Sequence, residues 1–261
     1  FDECDLGGSG ATVDRENGAV VDYSARNVAR LAAATVPNDP AQTAANSAAL
    51  DAELIAAYPR VKEVDRIVTL ARAEADRVGA QPVGSVTADI TTAFRGGSYV
   101  DGVYTGGQRD DRSKQSALGG LVADALRDTL ADPTRGGAEI ALVNPGGLRA
   151  ELLYAGDGVI TLAEANAVLP FVNNLWTTTL TGEQLRLALE QQWGDTAGRD
   201  RDLALGVSDN VRVTYDVARG PGQRITGIWI DGAPVDPAAT YRVGSFSFLL
   251  QGGDAFAVLG Q

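Results

Sequence analysis

The sequence predicts an α/β protein of the layered α+β kind: a mixed β-sheet with flanking helices, preceded by a long helical connector. Three observations carry that prediction. Residues 39–79 hold two helix-forming stretches, with Pro40 just inside the first start and Gly79 at the last stop. From Pro82 onward, short apolar runs alternate with stretches of helical periodicity. Late in the chain, strand-like runs follow one another with no helix between them, which calls for a sheet that is not purely parallel.

Residues 1–36 begin with a glycine-rich stretch and predict a hairpin, 12–13 against 19–23, across Glu16-Asn17-Gly18, since Asn-Gly is a strong turn signal. A short helix with Ser24 as N-cap follows. The segment is too small to fold alone. Residues 39–58 predict a helix with Asp39 at the N-cap. The helix predicted over 59–78 carries an apolar seam of Val61, Val64, Val68, Ala71, Ala75 and Val78, spaced three or four apart. Such a seam suits either a helix lying on its own domain or a connector between two domains. From about residue 80 the pattern changes, and a layered domain of about 180 residues, 80–261, begins.

In that domain the predicted strands are 82–90, 138–144, 174–180, 210–216, 224–230 and 240–248. Helices are predicted at 115–130, 161–168 and 181–193, the last two opening with capping boxes of Thr161 with Glu164 and Thr181 with Gln184. Asp231-Gly232 marks a turn between the runs 225–230 and 241–248. The Gly- and Asp-rich stretch 95–111 reads as the most flexible interior loop.

Composition excludes several functions. The chain of 261 residues has no histidine, so it holds no Ser-His-Asp triad, no Cys-His pair and no His-rich metal centre of its own. With 22 Lys plus Arg against 34 Asp plus Glu, the net charge is −12, which argues against nucleic-acid binding and requires local arginines at any anion site. No apolar run approaches the ~20 residues of a membrane span. Cys4 is the one cysteine, which excludes an internal disulfide. A chain opening at Phe1 with no methionine is expected to be a piece of a longer protein.

Four clusters carry possible chemistry. Gln108-Arg109-Asp110-Asp111-Arg112-Ser113-Lys114 precedes a helix, where three cations are unhelpful to the helix but would hold an anion; the alternative is a solvated loop of internal Arg–Asp pairs. Asn144-Pro145-Gly146-Gly147-Leu148-Arg149 follows a strand, and is either a structural turn or a binding loop whose Arg149 offers a planar fork. In Leu169-Pro170-Phe171-Val172-Asn173-Asn174, Pro170 stops a helix and leaves Phe171 on a connection, as a platform for a planar ligand or as a core residue. In Phe246-Ser247-Phe248 followed by Gln251-Gly252-Gly253-Asp254-Ala255-Phe256, strand alternation puts both rings on one face. Asp254 there could accept from vicinal hydroxyls or form an Asx turn.

Taken together, Leu118-Gly-Gly-Leu-Val-Ala-Asp-Ala-Leu126, Asn144-Pro-Gly-Gly-Leu-Arg149, Val168-Leu-Pro-Phe-Val-Asn173, Leu180-Thr-Gly-Glu-Gln-Leu185 and Gln251-Gly-Gly-Asp-Ala-Phe256 resemble the C-terminal domain of the secreted 5'-nucleotidases. The resemblance covers residues 80–261 and rests on five co-linear motifs. It implies that Phe171 and Phe248 sandwich a base, that Asp254 holds ribose hydroxyls, that Arg112 and Arg149 contact the ribose and phosphate region, and that Asn144 and Asn173 line the same pocket. Gln108 stands where some members have another arginine, and Gly120, Pro145 and Val172 also depart from commoner choices. The family further implies a missing N-terminal metallophosphoesterase domain holding a divalent metal pair, of Zn or Mn type, on His, Asp and Asn ligands. Residues 1–36 would be its remnant and 37–79 its connector. No catalytic residue, metal ligand or cofactor is then expected in this chain, whose partners would be an AMP-like nucleoside or nucleotide and the missing domain. The resemblance also implies an extracellular, cell-wall-associated or periplasmic parent, and a final helix beyond Gln261. Rival readings are a non-catalytic docking or oligomerisation module of the same fold, and a parent acting on 2',3'-cyclic nucleotides or nucleotide sugars.

Overall fold

A computed structural model describes residues 8–13, 20–26, 36–37, 39–100, 103–105 and 107–260. The chain divides into two compact units, residues 1–75 and 76–261. In the first, β1 (Gly8–Val13) pairs antiparallel with β2 (Val20–Arg26). The Glu16-Asn17-Gly18 turn lies outside the described residues. Ser24 does not cap a helix: it pairs with Gly10, and the ladder keeps the backbone extended through Arg26. The residues where the short helix was predicted, from 27 on, are not described. Helix α1 (Pro40–Ala57) starts as predicted, with Asp39 accepting from the Gln42 N–H at 2.8 Å and Pro40 at the first helical position. Helix α2 (Pro59–Gly79) crosses the boundary between the units. On its seam Val61, Val64 and Val68 stay exposed.

The second unit begins with β3 (Pro82–Ser85), shorter than predicted because its partner β9 (Val159–Thr161) offers only three residues to pair with; Ile90 touches Leu152 as an isolated bridge. The stretch expected to be a flexible loop instead forms two small antiparallel ladders. These are β4 (Phe94–Arg95) with β7 (Gln108–Arg109), and β5 (Ser98–Val100) with β6 (Val103–Thr105).

The central sheet is mixed, in the order β10 (Leu175–Thr181), β15 (Thr240–Phe246), β8 (Ile140–Val143), β11 (Gly206–Val207). β15 runs parallel to β8 and antiparallel to β10, while β11 runs antiparallel to β8. Alternation along β8 sends Ile140 and Leu142 to one face and Ala141 and Val143 to the other, and all four are buried. Helix α3 (Ala117–Leu130) covers the second face with Leu118, Val122 and Leu126. Helix α5 (Gly182–Glu190) covers the first with Leu185, Ala188 and Leu189. A strand with helices on both faces reads as a continuous apolar run, as Ile-Ala-Leu-Val does. Both capping boxes are formed, at α4 (Leu162–Val168) and at α5. The helix predicted to reach 193 ends at Glu190, and a short helix, α6 (Gly194–Ala197), follows a turn.

A second sheet of β12 (Val211–Tyr215), β13 (Ile225–Ile230) and β14 (Ala233–Pro234) adds Val211, Ile228 and Ile230 to the α5 side of the core. Asp231 and Gly232 have φ of 51° and 81°, the left-handed pair that a two-residue hairpin loop requires. That turn joins β13 to β14, not to the run at 240–246 as the sequence reading had it. A two-residue loop pairs only its immediate neighbours, so the later run is free to enter the central sheet.

Candidate functional site

Strand directions decide where the four clusters meet. Because β8 and β15 are parallel, their C-terminal ends, Val143 and Phe246, open at one edge of the sheet. β10 is antiparallel with Leu175 opposite Phe246, so the residues before Leu175 emerge at the same edge. β11 is antiparallel with Gly206 opposite Val143, and Ala204, two residues before it, donates its N–H to the Arg112 carbonyl at 2.7 Å. Loops 108–114, 144–149, 170–174 and 247–256 are thereby gathered where α/β sheets open their crevices.

Asn144, almost fully buried at the end of β8, donates from Nδ2 to Oδ2 of Asp254 at 2.9 Å. Gly146, in the short 3-10 turn after it (Pro145–Gly147), sits under both charges: a Cβ there would lie 3.1 Å from the Arg112 guanidinium and 3.6 Å from the Asp254 carboxylate. Asp254 and Ala255 adopt φ of 55° and 61°. Left-handed backbone suits Asp but disfavours Ala, and two such residues in succession need outside support. Phe256, wholly buried, anchors the turn.

Arg112 bonds Asp110 from Nε and Nη2 at 2.8 and 2.7 Å. The Asp110 carboxylate raises the Arg112 pKa, against the effect of burial, and the charges of Asp110 and Asp254 add to the rise. The neighbouring cations are used differently. Arg109 pairs with Glu151 at 2.8 Å, and Glu151 also accepts from Thr92. Lys114 lies 3.1 Å from Asp111, a buried carboxylate that also takes the Ser113 hydroxyl at 2.6 Å and is held down to about 2 chiefly by that bond. Internal pairing thus accounts for Arg109 and Lys114, whereas Arg112 is paired and still faces the cluster at Asp254.

Phe171 is 55% exposed on the loop after Pro170, which removes the reading of it as a core ring. The Arg149 guanidinium lies 5.9 Å from its centroid, and the Asn173 N–H donates to the Phe171 carbonyl at 2.9 Å, leaving Asn173 half-buried beside it. The expectation that Phe246 and Phe248 share a strand face fails. β15 ends at Phe246, and Ser247–Leu250 turns into a short helix, α7. Phe246 goes into the core beneath α3, and Phe248 is left 43% exposed, lying so close over Gly253 that a Cβ there would come within 2.6 Å of the ring. The Ser247 N–H bonds the Asn174 carbonyl at 2.8 Å and ties the two aromatic loops together. Phe171 and Phe248 make no ring contact with each other; among the described residues the aromatic pair in contact is Trp193 with Tyr215, 5.5 Å apart.

The structure places Arg112, Asn144, Arg149, Phe171, Asn173 and Asp254 in the connections at this end of the sheet, and Phe248 in α7 beside them. The Asp110–Arg112 pair is one of the internal Arg–Asp pairs weighed for this loop. Sequence alone missed Glu151 as the partner of Arg109, and Arg199, whose guanidinium lies 5.0 Å from the Phe256 centroid; nothing in the sequence connects Arg199 to the turn. A cleft of about 580 Å³ lies between α5 and β12, walled by Trp193, Tyr215 and Leu189 and reaching Ser113 and Lys114 of the first cluster. The chain has no histidine, and among the described residues no group of three or more Cys, Asp or Glu could hold a metal ion. No described helix is long and apolar enough to cross a membrane.

Comparison with known proteins gives concordant findings. A family model described as "5'-nucleotidase, C-terminal domain" matches residues 83–261. The chain is 33% identical over 165 residues to the trifunctional nucleotide phosphoesterase protein YfkN of Bacillus subtilis (strain 168), a match covering 61% of this chain and 11% of that protein. It is 27% identical over 176 residues to the 5'-nucleotidase of Bos taurus, covering 62% of this chain and 29% of that one. Among solved structures, the 5'-nucleotidase precursor from Thermus thermophilus aligns with a TM-score of 0.56 and 26% identity, over 96% of this chain and 41% of that one. The chain thus spans less than a third of the length of either curated relative.

Proposed function

This chain belongs to the family of 5'-nucleotidase C-terminal domains, and on that premise we propose that it is the nucleotide-binding, specificity-determining part of a larger nucleotidase. The observation that carries the reading is the convergence of exposed Phe171 and Phe248 with the Arg112, Asn144 and Asp254 cluster at one sheet edge. Two exposed rings on tied loops would take a nucleobase between them, and each stacking contact contributes about 1–3 kcal/mol whatever the base. Asn144 engages one oxygen of Asp254, which leaves the other to accept from ribose hydroxyls. A sugar lacking those hydroxyls leaves that acceptor unpaired. Arg149, over Phe171, and Arg112 would meet the phosphate region, their charge offsetting the long-range repulsion of a −12 chain.

Hydrolysis belongs to the metallophosphoesterase part of the parent, where a divalent metal pair would activate the attacking water. This chain's residues bind and orient; none is assigned a bond-breaking step. The parent would act outside the cytoplasm. Titration of AMP into the 261-residue chain should give saturable binding that Phe171→Ala with Phe248→Ala abolishes. Phosphate release from AMP with added Zn or Mn should stay at the level of a mock preparation. Absence of any binding would favour a docking module, and metal-dependent turnover by the chain alone would overturn the division of labour.

A further inference from the structure

Arg199 follows Gly198, whose φ of +70° ends α6 and turns the chain back toward the end of α5. Its Nη2 donates to the Gln191 carbonyl, its Nη1 approaches the Arg201 carbonyl at 3.4 Å, and its buried Nε has no partner. The guanidinium lies 5.0 Å from the centroid of Phe256. Gln191 also accepts from the Val258 N–H at 3.2 Å through its side chain, so it joins Arg199 to the chain just after the 252–256 turn.

Among the described residues no carboxylate forms an ion pair with Arg199, although the other half-buried arginines of this unit, Arg112, Arg127, Arg186 and Arg224, each hold one. Withdrawing a cation from water without a paired anion is costly. Burial accordingly lowers the Arg199 pKa, and the charge of Asp254, ahead of that of Asp202, works against the lowering. On the other side stands the strained turn. Asp254 and Ala255 are both left-handed, and such backbone persists only where its surroundings over-determine it. Phe256, closing that turn, is the ring on which Arg199 lies.

We propose that Arg199 is a positioning residue for Asp254: packed on Phe256 and tied to Gln191, it holds the left-handed turn and its charge so that the Asp254 carboxylate is presented to the ribose hydroxyls of a bound nucleoside. The proposal rests on the reading of Asp254 given under Proposed function. Arg199 touches no ligand in this arrangement, so its removal should act on the sugar and spare the base.

The test is calorimetric titration of adenosine and of 2',3'-dideoxyadenosine into the wild-type chain and the Arg199→Gln variant, with near-UV circular dichroism to check packing. Adenosine should weaken about tenfold in the variant and the dideoxynucleoside less than twofold, since only the former uses Asp254. If Arg199→Gln does not fold, Arg199→Lys, which keeps the charge but not the planar fork, replaces it, with a selective loss of about threefold. Equal weakening of both nucleosides, or an unchanged preference for adenosine, in whichever variant folds overturns the proposal. A wild-type chain that binds both nucleosides alike overturns the ribose role of Asp254 itself, and this inference with it.

Discussion

The Asn144 carboxamide donates to Oδ2 of Asp254 across 2.9 Å, closing a gap of 110 residues in sequence between the end of β8 and the last strained turn of the domain. Both partners are held: Asn144 by burial at the strand end, Asp254 by a backbone conformation that fixes its direction. Asn144→Ala should therefore free the carboxylate and weaken adenosine binding by about 1–2 kcal/mol, the value of a charge-assisted hydrogen bond. Asn144→Asp should weaken it more, because a second carboxylate would replace the donor. Isothermal titration reads both. An Asn144→Asp chain that binds as well as wild type would show that the pair does not prepare the site.

Gly146 supplies the room for Arg112 and Asp254 to meet. A methyl group there would stand 3.1 Å from the Arg112 guanidinium, whose flexible end can move aside, so Gly146→Ala should cost the fold little. The movement takes Arg112 from its place beside Asp254, and AMP affinity should fall about threefold to tenfold with a melting temperature near that of wild type. A variant that loses stability and affinity in proportion would instead mark Gly146 as a packing position.

Three strands of the central sheet, β8, β10 and β15, both capping boxes and the loops of the candidate site were legible because each is written locally: an apolar run such as Ile140–Val143, or Thr181 with Gln184 three residues on; β11, only two residues long, was not. The errors have a common cause in partners that local pattern cannot name. Asp231-Gly232 was read correctly as a turn but joined to the wrong strand, since the turn signal does not say that Ala233 and Pro234 suffice to pair with β13. Phe248 was given the face of Phe246 because period-two alternation is silent about where β15 stops. The pairing of Arg109 with Glu151, 42 residues on, and the placing of Arg199 over Phe256 depend on tertiary packing alone.

Gly182 shows where substitution must act on stability rather than binding. It opens α5 behind the Thr181 cap, and a Cβ there would lie 2.2 Å from the Asp236 carbonyl oxygen and 2.6 Å from the Val235 side chain. A backbone carbonyl cannot step aside as a guanidinium can. Gly182→Ala should destabilise the domain by about 2 kcal/mol or more, through displacement of α5 from the core residues Leu185 and Leu189. A urea midpoint within error of wild type would mean that the 236–239 turn yields freely.

Asp111 makes the stability of this unit depend on acid. Its carboxyl is held down to about 2, first by the Ser113 hydroxyl, then, against the opposing effect of burial, by Lys114 and the Ser113 N–H. The folded value lies below the unfolded one, so the unfolded chain takes up the proton first. The contribution is complete above the ordinary carboxylate range and disappears as pH falls from about 4 to about 2. Asp111→Asn should lower stability at pH 7 by about 2 kcal/mol, and the gap from wild type should close across that window. All three tryptophans, Trp176, Trp193 and Trp229, lie in residues 76–261, so their fluorescence follows the unfolding of this unit in urea. Wild-type and variant midpoints that fall in parallel from pH 5 to pH 2 would show that Asp111 does not carry the acid sensitivity.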